Sequence, residues 1–139
     1  MLIQASTDIG LIGRETCSRQ ARWRLVIISA CHAGAFIPYL SDDQSIVITA
    51  AAADRTSFGC SNDRDLTNFG EAFIRDALPG APSLRAAFEQ ARDSIAAREQ
   101  SEELTPSMPT AHFGAALEHR LEAEGLPRSR PPDLKSTPP

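Results

Sequence analysis

Apolar positions along the chain follow two different periods. Leu25-Val26-Ile27-Ile28-Ser29-Ala30 and Ser45-Ile46-Val47-Ile48-Thr49-Ala50 are short β-branched runs without polar alternation. Such runs predict strands buried on both faces, the kind found in parallel sheets. Between them, Cys31-His32-Ala33-Gly34 predicts a turn and Phe36 to Leu40 a short helix, followed by a polar loop, Ser41 to Gln44. That spacing is close to the minimum for a right-handed βαβ crossover. Downstream the period becomes helical. Phe69, Phe73, Ile74 and Ala77 share one face of a helix that stops at Pro79-Gly80. Leu84, Ala87, Phe88, Ala91 and Ile95 stripe a second helix, with Ser83 as its N-cap. After a connector from Thr105 to Pro109, Phe113, Leu117 and Leu121 are spaced by four and predict a third.

The flanks are different. Met1 to Arg22 shows no clear period, and Gly10 and Gly13 interrupt it. From Pro127 onward, repeated proline with Arg and Ser predicts a disordered tail. The expected division is 1–22 unpatterned, 23–124 one domain, and 125–139 tail. Two strands are few for an α/β domain, whose sheets usually have about five or six. The pattern therefore suggests the second half of a doubly wound domain. A half-sheet would leave an apolar edge exposed, which is an aggregation hazard.

Composition narrows the function classes. A net charge of −4 argues against nucleic acid, because neutralising phosphates needs clustered Lys and Arg. Three cysteines without framework spacing argue for free thiols. No apolar run approaches the ~20 residues of a membrane span, and the first residues lack a signal-peptide pattern. The three His and three Cys have no zinc-ligand spacing, so neither metal nor cofactor is expected.

In open α/β sheets, ligands sit at the carboxyl ends of the strands. Cys31 lies at the end of the first strand, and the polar loop Asp54 to Asp65 begins just past the second. If the strands are parallel neighbours, both features share one rim. A thiol there, followed by the small residues Ala33 and Gly34, would let a carbonyl approach. The Cys31 backbone N–H and the Gly34 turn are candidates for holding an oxyanion. The alternative for Cys31 is a small buried hydrophobe.

Three blocks resemble one family. Val26 to Gly34 is similar to the nucleophile strand of the caspase-like cysteine peptidases, and within that clan to the legumain type. Ile48 to Cys60 resembles the legumain strand that ends in Thr-Ala-Ala and runs into a Ser-aromatic-small-Cys loop. Phe69-Gly70-Glu71-Ala72-Phe73 resembles its block with an acidic residue after an aliphatic-Gly pair. The resemblance covers Trp23 to Leu78 well and the helices to Leu121 more loosely. It implies an α/β fold: the C-terminal half of a caspase-like (caspase-hemoglobinase) three-layer sandwich with a mostly parallel sheet. It implies a cysteine endopeptidase acting on peptides or proteins, with Cys31 as nucleophile, thiolate attack and an acyl-enzyme. It also implies an Asn-reading pocket. Ser57 and Glu71 match its serine and acidic residue, and Ser29 stands where some members carry an acid. Ser57 also suits a turn, and Asn68-x-x-Glu71 has capping-box spacing. Cys60 matches the cysteine that ends the loop block, as a small buried thiol.

The family histidine lies upstream in a His-Gly pair, and no His precedes Cys31 here. His32 is adjacent to the thiol and is expected to point away from it. His112 and His119 are expected on the surface. The implied protein is thus a truncated peptidase, inactive alone. A rival from another class is a non-enzymatic fragment that pairs with another chain, such as a complementing N-terminal half that brings the histidine. A thioesterase using Cys31 is a third reading, disfavoured by the second and third blocks.

Overall fold

The computed structural model describes residues 2–5, 22–59 and 66–125. Four strands form one sheet in the order β1 (Leu2–Ala5), β2 (Arg24–Ile28), β3 (Ser45–Thr49) and β4 (Thr110–Phe113). β2 and β3 are parallel, with Ile27 opposite Ile48, while β1 and β4 pair antiparallel on either side. A 3-10 turn (Ala33–Phe36) and α1 (Ile37–Leu40) make the crossover between the parallel strands. A wide-turned π-helix (Gly70–Ala77), α2 (Leu84–Ser101) and α3 (Ala115–Glu124) complete the described elements.

Both central strands are covered on both faces, which is why their apolar runs do not alternate. Ile27, Ile46 and Ile48 face the π-helix, α2 and α3 in one cluster with Phe69, Phe73, Phe88, Ile95 and Leu117. Val26, Ile28 and Val47 face the other way, against Ala33, Ile37 and Leu40. Phe69 and Phe73 stack at 5.5 Å. Ser83 caps α2 as expected, its Oγ accepting from the Ala86 N–H at 3.1 Å.

Three expectations are corrected. The sheet is mixed, not mostly parallel, because one of its three pairings is parallel. Phe113 lies on β4, not on the third helix. Strand residue Phe113 and helix residue Leu117 reach the same core from two elements, so their spacing of four imitates one helical face. The edge of β2 is not bare. Leu2–Ala5, within the stretch that shows no period, lies along it. Four residues are too few to display a period of two, and the open edge of β2 recruits them. Expectations for residues 6–21, for Cys60 to Asp65 and for the tail from residue 126 lie outside the described residues.

At the end of the sheet where β3 begins, Arg85 lies 4.4 Å from the Phe113 ring centroid and grips Glu118 through two hydrogen bonds, at 2.5 and 2.7 Å. That grip, then the guanidinium charge, holds the Glu118 carboxyl below its ordinary 4.5. A depressed carboxyl contributes stability above its unfolded value, and the contribution is lost as pH falls through the folded value. Arg85→Ala is therefore expected to lower stability by about 0.5–1 kcal/mol at pH 7, the range for partly exposed pairs. In urea titrations the deficit should shrink as the pH is taken below the ordinary carboxylate range. A deficit that persists there would assign the loss to packing on Phe113.

Candidate active site

The chain leaves β2 at Ile28 and turns sharply through Cys31 and His32. His32 holds a left-handed conformation (φ 57°), with its N–H donated to Arg55 O at 2.8 Å. The Gly34 N–H goes to Ala51 O at 2.9 Å. A Cβ at Gly34 would meet Ala53 N at 2.7 Å and Ala52 C at 2.9 Å. Only glycine lets this turn lie so close to the backbone leaving β3. The contact brings together the two features that sequence placed on one rim. Cys31 is exposed, and its Sγ accepts the Ser57 N–H at 3.3 Å, with Ser57 O at 3.6 Å. Gly34 acts through the turn, since its amide is already committed to Ala51.

Beside the thiol, Ser29 Oγ and Thr67 Oγ1 are 2.9 Å apart. Thr67 Oγ1 also accepts the Gly70 N–H at 3.0 Å, capping the first turn of the following helix. The cap is thus Thr67, one residue before the Asn68-x-x-Glu71 box that the spacing suggested. Asn68 is buried, and its N–H reaches Phe58 O at 3.1 Å, closing the base of the loop. Gly59 (φ +94°) passes directly under Asn68, where a Cβ would lie 2.6 Å from Asn68 N. Glu71 accepts from Arg75 at 3.2 Å through Oε1 and from Arg98 at 3.0 Å through Oε2. Arg98 Nη1 also donates to Asn68 Oδ1 at 3.2 Å. Next to this pair, Arg75 bonds Asp76, which holds the Asp76 carboxyl below its ordinary value.

The histidines are placed elsewhere. His32 Nδ1 lies 3.1 Å from Ala53 O. His112 is on β4, half-buried, with Nε2 3.1 Å from Asp42 O, toward the opening end of β3. This corrects its reading as an ordinary surface residue. His119 is exposed on α3. Among the described residues no imidazole bonds Cys31, and no three of His, Cys, Asp and Glu are grouped for a metal.

A thiol held by a backbone N–H at the carboxyl end of a parallel strand is an arrangement suited to nucleophilic attack on a carbonyl. The model of the peptidase C13 family, the legumain family, matches residues 15–118. The chain belongs to the peptidase C13 family. No curated protein and no solved structure matches it.

The C13 match takes in both central strands, the Cys31 turn, the loop, the π-helix and α2. It makes the chain a member of a family of cysteine peptidases, whose substrates are peptides and proteins. No described helix of this C13 chain is long and apolar enough to cross a membrane. Sequence reasoning missed two residues of α2 near the rim, because Arg85 to Glu103 reads as a solvated charged face. Glu99 continues the buried stripe one turn past Ile95 and accepts the Ser107 N–H at 3.0 Å, while Ser107 O in turn takes the Ala52 N–H. Arg98 sits beside it at the margin of the stripe. A carboxylate at the next position of an apolar stripe was the available signal.

Proposed function

We propose that this chain is the carboxyl-side part of a legumain-like cysteine endopeptidase domain, residues 23–124, in which Cys31 is the nucleophile. The observation that carries the reading is the Ser57 N–H directed at the exposed Cys31 Sγ, at the carboxyl end of a parallel strand within the residues that the family model matches. In the reaction the thiolate attacks the scissile carbonyl carbon. The carbonyl π-electrons move to oxygen, where the Cys31 N–H is the candidate donor. Collapse expels the amine, which takes up a proton, and water then hydrolyses the thioester. Ser29, Ser57 and Glu71 are the candidates for shaping the substrate pocket. The base that deprotonates Cys31 is assigned to a histidine from outside these 139 residues. His32 is directed to Ala53, and His112 and His119 lie on elements away from the thiol.

The chain alone is accordingly expected to be catalytically silent. The test is turnover of peptides containing Asn or Asp, alongside simple thioesters, by purified monomeric chain. No cleavage of either class supports the missing-base reading. Peptide turnover by the monomer would sink it, and thioester turnover alone would move Cys31 to another hydrolase class.

A further inference from the structure

The rim holding Cys31 is built from three separate segments, and one side chain of α2 anchors one of them. Arg98 Nη1 donates both to Asn68 Oδ1 at 3.2 Å and to Glu71 Oε2 at 3.0 Å. Its side chain is 34% exposed, so the charge sits at the margin of the core and not in bulk water. Asn68 lies over Gly59 and holds Phe58 O through its own N–H. Phe58 adjoins Ser57, whose N–H is the donor to Cys31 Sγ. On the other side of Asn68, Thr67 bonds Ser29, two residues before the thiol. A continuous path of polar contacts thus runs from α2 through the loop base to the sulfur.

We propose that Arg98 is a positioning residue of this site: it fixes the loop base so that the Ser57 N–H stays directed at Cys31 Sγ. The inference rests on the reading of Cys31 as nucleophile, and it adds to it a residue that never touches substrate. The physical role is geometric. Both bonds leave one nitrogen, Nη1, whose two N–H groups are held in the guanidinium plane and so fix the direction of both acceptors. Glu71 and Asn68 are each held by Arg98, so this helical turn keeps one placement on α2, and the Asn68 N–H carries that placement to Phe58 O in the loop. Ser57 meets the sulfur through both its N–H, at 3.3 Å, and its carbonyl oxygen, at 3.6 Å, so the placement of this loop sets how the sulfur is presented.

The test is the alkylation rate of Cys31 by iodoacetamide in the folded chain, which needs no histidine. Cys17, Cys31 and Cys60 fall on different tryptic peptides, so each is followed separately by mass spectrometry. Arg98→Ala is expected to slow Cys31 alkylation about three- to tenfold at pH 7, the loss of one hydrogen bond to sulfur. Arg98→Lys, which keeps the charge on a shorter and non-planar head, should fall between. Arg92→Ala removes the same charge from the same helix, where Arg92 pairs with the exposed Asp93, and should stay within about twofold of the parent.

A rate for Arg98→Ala within about twofold of the parent, or faster than it, overturns the proposal. So does equal slowing by Arg92→Ala. If Arg98→Ala does not fold, Arg98→Lys decides: a rate below the parent supports the role, and an unchanged rate overturns it. Because this measurement reads only the surroundings of the sulfur, its failure leaves the nucleophile assignment standing. Peptidase activity that survives Cys31→Ala in a chain supplied with the upstream histidine-bearing strand would instead remove the nucleophile assignment and leave the clamp in place.

Discussion

Cys31→Ala, in a chain restored with an upstream histidine-bearing strand, is expected to lose peptidase activity by about a thousandfold or more. A nucleophile that forms the acyl-enzyme has no substitute nearby. Ser29 is the closest hydroxyl in sequence, but it is bonded to Thr67. The loss should fall on kcat, because the Ser57 loop and the pocket candidates are untouched. Stability should barely move, since the thiol is exposed and contributes little burial. Cys31→Ser is the sharper comparison. It keeps an oxygen in reach of the Ser57 N–H but is a far weaker nucleophile at neutral pH. Active-site titration with an alkylating agent should label the parent once at residue 31 and leave Cys31→Ala unlabelled there. A restored Cys31→Ala chain that still cleaves peptides would remove the nucleophile assignment.

The largest expected loss of stability follows from Gly114→Ala. Gly114 precedes α3 and donates its N–H to Ser45 O at 2.8 Å, while Leu117 N–H reaches Asp43 O at 3.1 Å. The start of α3 is thereby pressed onto the turn that opens β3. An added Cβ would lie 2.5 Å from Ser45 O and 2.7 Å from Asp43 C, and closer still to Asp42 O. All three are backbone atoms, so no side-chain rotation relieves the overlap. The expected cost is about 3 kcal/mol, at the upper end for overpacking. It should appear as a lower urea midpoint with an unchanged slope. Gly80→Ala is the control, because among the described residues nothing lies within 4 Å of a Cβ there. It should stay within about 0.5 kcal/mol of the parent. A Gly114→Ala chain as stable as its control would mean that the Asp42 to Ser45 turn yields without cost.

The parts of this fold that sequence revealed are those with a period long enough to be seen. Six residues of β-branched apolar sequence predicted β2 and β3, and five stripe positions on α2 are all buried. The parts it concealed are four residues long. β1 and β4 form because β2 and β3 have open edges to satisfy, a tertiary cause absent from Leu2–Ala5 and Thr110–Phe113 themselves. The candidate site divides in the same way. Cys31 was visible because it ends an apolar run, and its Ser57 contact follows from two parallel strands sharing a rim. Thr67 and Arg98 were invisible, because each is one polar residue among many and acts through a partner that only folding supplies.

The order of the strands also sets the entropic cost of assembling the site. β2 and β3 pair across one short crossover, whereas Ile46 meets Phe113 across a stretch roughly three times as long, which adds about 1 kcal/mol of loop closure. Cys31 and Ser57 lie 26 residues apart, nearly as far as Arg98 from Asn68 and Glu71, at 30 and 27, so closing either contact carries a similar entropic cost. What separates them is the element each depends on: the sulfur meets its donor through the pairing of β2 with β3, and the arginine reaches its acceptors through the packing of α2.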